Sequence, residues 1–350
     1  MDPGRLFVRT ISRMRLPGGS AAASVVLVLC FLAAPAAPAA AADALVAQPA
    51  GAAVAVRPTL PAAHLGAMKH VWQTLNNCGP AAVVMALSTL GVDVDQETAR
   101  LALRGPDVRR GMGPQGVGSW VAERFGLRST WRNNGTAELM KALVSNGFAP
   151  MVTQWMVDPW VQRVAHWRTV AGYDDARGVF YANDPMRGRD VALAYDWFDR
   201  NWQPFSYRWM VVYSPQDEPL LRAIAGEDWY DRSMRQRHYE RARAEALASG
   251  DSASWLALGE AAYQNGLFRE AVGAFERGLA LGSPQGVFTL RSSYPRALAA
   301  LGRGSDALRV QQLLSGISAV PATVAPAPDA FALQLARERQ PAFDALGLTP

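Results

Sequence analysis

Cys78 stands in the run Gln73-Thr74-Leu75-Asn76-Asn77-Cys78-Gly79-Pro80, directly ahead of the apolar stretch Ala81 to Leu87. Pro80 suits a first helical turn and Gly91 a C-terminal stop, so the thiol falls at a helix N-terminus. The unpaired amides there carry partial positive charge and favour thiolate over thiol. Such a sulfur can attack a carbonyl and hold the acyl group as a thioester. Gly79 lets a substrate backbone approach without meeting a Cβ. A free cysteine is also often a small buried hydrophobe, so its partners elsewhere in the chain decide its role.

Four histidines compete for the part of base. His64 lies in low-complexity sequence, His238 on a charged helix and His70 on the segment leading into Cys78. Only His166 begins an extended run, reaching Tyr173. It is followed by a turn at Asp174-Asp175-Ala176 and a second run ending Tyr181-Ala182-Asn183-Asp184-Pro185. A hairpin centred on Asp175 sets His166 opposite Asp184, with Cβ atoms about 5 Å apart. The carboxylate then takes the Nδ1 proton and leaves Nε2 for the thiol. Taken alone, Asp184 before Pro185 reads as a turn residue. Together the three make the nucleophile, base and orienting acid of acyl transfer. An oxyanion needs donors, and the backbone amide of Cys78 supplies one. Gln73 supplies a second, because a neutral carboxamide donates without competing for the base and the extended chain between can fold it back. Asn76 and Asn77 read as turn formers.

These residues resemble the papain-like cysteine peptidases of the bacteriocin-processing type, in the exported branch that reads Gln, then Cys-Gly-Pro, later His-Trp, then Asn-Asp-Pro. The resemblance covers about Met68 to Tyr213. It implies an oxyanion glutamine at Gln73, a nucleophile at Cys78, a base at His166 and an orienting acid at Asp184. It also implies a papain-like domain with helices first and an antiparallel sheet second. Transporter-fused members, which cleave after a double glycine, carry a membrane domain and a nucleotide-binding module that this sequence does not show.

The elements that must position these residues read the same way. After the Cys78 helix come a helix from Asp95 to Leu103 and a glycine-rich loop from Gly105 to Gly118. A helix through Trp120 to Phe125 then stops at Gly126, Leu127 to Trp131 is a strand, and Thr136 caps a helix that ends at Gly147. From Gly147 the period becomes extended, with strands over Phe148–Val157, His166–Tyr173, Val179–Asn183 and Tyr207–Tyr213. Helices followed by antiparallel strands define an α+β domain. Beyond Pro219 the pattern is helical. Trp255, Leu258, Gly259, Ala271 and Phe275 follow the spacing of a tetratricopeptide helix pair with a turn at Asn265-Gly266-Leu267, and a degraded second unit runs from Tyr294 to Leu314. Leu256, Leu258, Phe268 and Phe275 are its expected core.

Arg5, Arg9, Arg13 and Arg15 precede an apolar stretch from Ala21 to Ala34 and small residues near Ala40, as in a secretory signal peptide. Removal of this leader takes Cys30 with it and lowers the formal charge from +5 to about +2, so nucleic acid is not an expected partner. Export leaves one thiol in an oxidising compartment, periplasmic or extracellular, where no intramolecular disulfide can form. The expected organisation is a signal peptide over 1–42, an Ala/Pro-rich tether over 43–67 and a peptidase domain over 68–215. Connecting helices over 216–250, a tetratricopeptide-like region over 251–319 and a spacer with short helices over 320–350 complete it. Gly111-Met112-Gly113-Pro114-Gln115-Gly116 matches a dinucleotide fingerprint by letter, but no strand precedes it, so no cofactor is expected. No metal spacing is present either. Trp72, Trp155 and Trp167 are candidates to line a peptide groove.

The expected activity is hydrolysis of peptide bonds by an exported thiol peptidase, with the helical repeats recruiting a protein substrate or partner and no membrane span left after leader removal. A cell-wall amidase or transamidase could use the same residues. A binding protein built on the repeats is the non-enzymatic alternative.

Overall fold

The protein is described from a computed structural model that covers residues 55–108, 110–158, 162–282 and 287–318. The leader with Cys30, the Pro/Ala spacer and the short helices expected beyond it lie outside the described residues. In chain order the elements are β1 (Ala62–His64), α1 (Cys78–Ser88), α2 (Gln96–Leu103), α3 (Val117–Phe125), β2 (Arg128–Arg132) and α4 (Ala137–Ser145). Then follow β3 (Met151–Asp158), β4 (Gln162–Asp174), β5 (Val179–Asp184), β6 (Gly188–Ala194), α5 (Tyr195–Trp202), β7 (Trp209–Tyr213) and α6 (Glu218–Ala225). The helices α7 (Asp231–Ser249), α8 (Ser252–Gln264), α9 (Phe268–Leu281), α10 (Leu290–Ala300) and α11 (Gly304–Ser318) complete the described chain.

Local chemistry sets many of these boundaries. The Asp95 and Thr136 side chains accept the amides of Thr98 and Leu139 and so start α2 and α4. Gly126, at φ 67°, closes α3 in the left-handed conformation that costs glycine nothing. Helix α1 is apolar all round, and Gly79 to Leu87 are buried along its length.

The strands form one antiparallel sheet in the order β2-β7-β3-β4-β5-β6, with β1 added against β4. Alternation along β7 divides the core. Met210 and Val212 pack with α1 and α3 on one face, whereas Trp209, Val211 and Tyr213 pack with α4 and α5 on the other. With both faces covered, β7 is buried at every position and shows no polar alternation.

Three boundaries differ from the sequence reading. The tether is not structureless throughout, because Ala62–His64 pairs with Gly172–Asp174 of β4 beyond the point where β3 has ended. The strand β6 and helix α5, unread in the sequence, close the sheet and seat Phe198 and Trp202 in the core. Nor does the sheet-bearing half end at 215: Leu221, Ala225 and Trp229 are buried with Met140 and Tyr213.

The helical half consists of antiparallel hairpins, α8 with α9 and α10 with α11, with α7 laid against α8. Leu256 and Phe275 are fully buried between them, Leu258 nearly so, and Phe268 packs at the margin. A Cβ added at Gly278 would stand 2.7 Å from Leu256, and one at Gly259 would stand 2.5 Å from Phe275. These glycines let α8 and α9 approach closely.

Helices α7 and α8 lean on the sheet-bearing half through polar contacts. The Arg241 guanidinium lies 3.5 Å over the Tyr207 ring and donates to the Gly135 carbonyl at 2.8 Å. The Tyr207 hydroxyl donates to Glu245 at 3.1 Å, and Asn133 donates to Gln264 at 2.9 Å. After α9 the chain returns to the sheet. The Phe288 amide donates to the Pro204 carbonyl at 3.1 Å, its ring stacks on Phe205 at 5.2 Å, and Trp155 meets both rings edge-on.

His238, on a charged helix in the sequence reading, is 2 % exposed on the inner side of α7. Burial, with the charges of Arg241 and Arg208, pulls its pKa down to about 3. The unfolded chain therefore binds a proton there between about pH 6.5 and pH 3 that the native chain does not, so this site's stabilising contribution is full above pH 6.5 and drains away as pH falls toward 3. Melting temperature measured from pH 7 to pH 4 should fall more steeply for the natural sequence than for His238→Gln. Parallel curves would show that this imidazole does not couple folding to pH.

Candidate active site

Helix α1 carries Cys78 as its first residue, at the end of a turn held by the two asparagines before it. Asn76 adopts φ 56°, a left-handed position asparagine tolerates, and its Nδ2 donates to the carbonyls of Val108 and Arg110 at 2.9 and 3.3 Å. Asn77 is buried, donates to the Thr74 hydroxyl at 2.5 Å and accepts from the buried Arg104 Nε at 2.9 Å. Both are turn formers whose amides are committed to the lead-in segment and the loop after α2.

Gly79 serves that loop rather than a substrate. A Cβ there would lie 2.7 Å from the Cβ of Met112, so the space expected for an approaching backbone is filled by the chain itself. The Met112 carbonyl accepts the Trp167 indole N–H at 3.2 Å, which fixes the glycine-rich loop to β4. The lettered dinucleotide fingerprint is part of this loop and runs straight into α3, with α2 rather than a strand before it. A hydrogen bond of 3.0 Å from the Thr169 hydroxyl to the Ala82 carbonyl ties α1 to β4 in turn.

His166 and Asp184 meet, but by a different register from the expected one. The β4–β5 turn spans four residues, Asp175 to Gly178, with Gly178 at φ 65°, and a bulge follows between Val170 and Gly172. Asp174 therefore pairs with Val179 and Thr169 with Asn183. Continued one step, that register sets Asp184 opposite Arg168, with His166 two residues farther along the same strand face. Both reach the carboxylate: His166 Nε2 lies 2.8 Å from Oδ1, and Arg168 Nε donates to Oδ2 at 2.7 Å.

The ring is also turned relative to expectation. Nε2 faces Asp184 and leaves Nδ1 for the thiol, because the sulfur lies against the β4 backbone and accepts the N–H of Trp167, the residue next to His166. The ring nitrogen nearer the backbone is the one that reaches it. Oδ1 of Asp184 also accepts the amides of Met186 at 2.8 Å and Arg187 at 3.1 Å, an Asx turn that holds the carboxylate from its own chain. His166, Asp184 and Arg168 are all within 1 % of complete burial, whereas Cys78 is half-buried.

Burial alone would push the Cys78 thiol up. The hydrogen bond and charge of His166, with the amides of Trp167 and Gly79, outweigh it and hold the thiol below its ordinary value. Burial likewise opposes charge on His166, and the Asp184 carboxylate reverses this by charge and by hydrogen bond, so the imidazole is raised. Asp184 lies well below the carboxylate range, because the charges of His166 and Arg168 overcome its burial. Sulfur and imidazole are thus biased toward an ion pair.

Gln73 is 4 % exposed, and its amide donates to the Pro185 carbonyl at 2.8 Å, which lays the lead-in segment alongside the Asp184 turn. Its Oε1 is buried without a protein partner. In the same segment His70 Nε2 lies 3.1 Å from the Asp184 carbonyl oxygen, and the His70 ring meets Trp72 edge-on at 4.7 Å. Of the tryptophans expected to line a groove, Trp167 is buried in the core and Trp155 is packed against Phe205 and Phe288. His64 lies apart from the site and pairs with Asp190 at 2.8 Å.

The sequence reading missed Arg168 and the residue that anchors it, Gln154. Arg168 Nη1 donates to Gln154 Oε1 at 3.2 Å, and Gln154 Nε2 donates to the Phe198 carbonyl at 2.8 Å. The signal was available: on a strand, the residue two after His166 shares its face.

The arrangement sets a thiol, an imidazole and a carboxylate in the order that acyl transfer through a thioester requires. Residues 64–210, which contain Gln73, Cys78, His166 and Asp184, match the Peptidase_C39 like family. The match supports a cysteine peptidase, a hydrolase, for this part of the chain. Among solved structures, the chain is similar to a C39-like peptidase from Bacillus anthracis at 15 % identity and a TM-score of 0.36, over 44 % of this chain and 98 % of that one. No curated protein matches the chain. Among the described residues, no group of three or more His, Cys, Asp or Glu side chains is placed to hold a metal ion, and no helix is long and apolar enough to cross a membrane.

Proposed function

We propose that the chain is an exported cysteine peptidase that hydrolyses peptide bonds through Cys78, His166 and Asp184. The observation that carries this reading is the line from half-buried sulfur to buried imidazole to buried carboxylate, with the thiol held below its ordinary value. The Cys78 thiolate attacks the peptide carbonyl carbon, and the oxyanion takes hydrogen bonds from the Cys78 amide and the Gln73 carboxamide. His166 Nδ1–H gives its proton to the leaving amine as the C–N bond breaks, which leaves a thioester and a neutral imidazole. Nδ1 then takes a proton from water, the hydroxide oxygen bonds to the thioester carbon, and the acid leaves as the sulfur is freed. The hydrogen bond to Asp184 keeps Nε2 engaged and Nδ1 aimed at the sulfur throughout.

Gln73 is buried, and its backbone amide bonds the carbonyl of Pro185, the residue after Asp184; its Nε2–H is the group that would donate to the oxyanion. Gln73→Ala should lower kcat by about a hundredfold or more with a smaller change in KM, the mark of a donor that acts in the transition state. Unchanged turnover would place the second oxyanion donor elsewhere.

The tetratricopeptide-like half serves to recruit a protein substrate. A concavity of about 1000 Å³, lined by Tyr230, Arg232, Arg235, Gln264 and Asn265 among others, opens between the start of α7 and the α8–α9 turn. The test of the whole reading is a peptide library incubated with the natural chain and with Cys78→Ala. Cleavage by the first alone supports it, and a library left intact by a folded chain with a reactive thiol refutes it.

A further inference from the structure

Arg168 places a permanent positive charge inside the catalytic cluster. Its side chain is fully buried, as is that of Asp184, and the Nε to Oδ2 distance is 2.7 Å. The guanidinium is held from three sides. Asp184 binds Nε, Gln154 of β3 binds Nη1, and the Trp197 ring of α5 lies 5.5 Å from Cζ. Gln154 is itself fully buried and anchored to the Phe198 carbonyl, while Nη2 of Arg168 is buried without a protein partner. Breaking a buried pair of this kind is costly, and the geometry is far more committed than a surface arginine on a strand edge would be.

The groups facing one another are Cys78 from α1, His166 and Arg168 from β4 and Asp184 from the end of β5. Arg187 in the turn after β5 and the buried Arg104 after α2 act on the cluster by charge, the latter on Cys78, and His70 touches the Asp184 carbonyl from the lead-in segment. With Arg168 present, Asp184 is balanced. The four central groups then sum to zero; transfer of the proton between sulfur and imidazole leaves that sum unchanged, so what Arg168 sets is the potential in which both groups titrate. Without Arg168 the same cluster carries an excess negative charge, which opposes thiolate formation and holds the proton on His166 to higher pH. The carboxylate would stay in place, since the amides of Met186 and Arg187 hold Oδ1 independently.

We propose that Arg168 is a positioning residue for the catalytic groups: it orients and neutralises Asp184 and so sets the pH window in which Cys78 and His166 stand as thiolate and imidazolium. This rests on the reading of Cys78 and His166 as nucleophile and base, and it requires no contact between Arg168 and substrate. The charge of Arg168 opposes protonation of His166, and Cys78 and Arg168 stabilise each other's charged forms, so removal moves both limbs of the window in the same direction. The two limbs belong to the coupled pair rather than to either residue.

The test uses the full chain and needs no turnover. Alkylation of Cys78 by iodoacetamide is measured as a function of pH, together with thiolate absorbance near 240 nm, for the natural chain, Arg168→Lys and Arg168→Gln. Arg168→Gln should move both inflections to higher pH by about one unit or more, and Arg168→Lys, which keeps the charge, should leave them nearly in place. Inflections unchanged in folded Arg168→Gln would overturn the proposal. So would an equal shift in Arg168→Lys, because it would assign the effect to packing. If Arg168→Gln does not fold, Gln154→Glu places a carboxyl against the same guanidinium and should give the same upward shift, with an unchanged titration again overturning the idea. Absence of peptide cleavage in the natural chain would refute the peptidase reading while this titration still decides the role of Arg168.

Discussion

Replacing Cys78 by Ala should remove peptide hydrolysis, with a loss of kcat on the order of 10⁶-fold if the thiolate is the nucleophile. No neighbouring side chain can take its place. His166 is enclosed between the sulfur and Asp184, and the nearest hydroxyl on the supporting strand, Thr169, is spent on the Ala82 carbonyl. The fold should tolerate the change, because Cys78 is half-buried at a helix end while the helix is anchored by the buried run from Ala81 to Leu87. The stability loss should stay within about 2 kcal/mol. Single-turnover cleavage of a reporter peptide, with urea unfolding of the same preparation, separates the two effects. Hydrolysis that persists within tenfold of the natural rate would remove Cys78 from the mechanism.

Asp184→Asn should cost both stability and rate, and the stability cost is what distinguishes this site from a simple triad. Sequence alone suggests that asparagine keeps the geometry and impairs only proton transfer. The structure puts Arg168 on the other oxygen of the same carboxylate, so the substitution leaves a buried guanidinium without its counter-charge. Breaking a buried pair from one side typically costs about 3–5 kcal/mol. Urea unfolding should show a loss of that order, and adding Arg168→Met to Asp184→Asn should restore part of it by removing the stranded charge. A double variant less stable than Asp184→Asn by the full cost of the arginine would mean that the two residues do not interact. On the catalytic side, weaker stabilisation of the imidazolium should lower the upper pH limit of activity, since the carboxylate charge is the larger of the influences that raise His166.

Where the chain's own local chemistry sets a feature, the sequence carried it. The apolar run after Cys78, the caps at Asp95 and Thr136 and the stop at Gly126 depend on neighbours a few residues away, and they were legible to within a residue or two. The three residues of β1 were not, because Ala62–His64 owes its extended form to the free edge of β4, more than a hundred residues distant. Strand β6 escaped because Gly188-Arg189-Asp190 opens it without the β-branched or aromatic content that marks a strand, and it is held by β5. At the site, the pairing of His166 with Asp184 was visible as a pattern of residue types. Its register was not, since a positive φ at Gly178 and a bulge at Val170 decide it. The error matters chemically: the shift of register is what brings Arg168 onto the carboxylate.

The return of the chain at Phe288 bears on how this protein can be divided. Trp155, which Phe288 and Phe205 enclose, lies on β3 opposite Ala165, one residue before His166. The hairpin that carries His166 is therefore braced from outside by a residue of the helical half. Shortening the chain at the end of the sheet would strip the Phe288 ring from that hairpin, together with Trp229 from the core. The helices are thus part of the mechanical frame around Cys78, His166 and Asp184. Recombination that exchanged them for another module would carry the penalty into the active site.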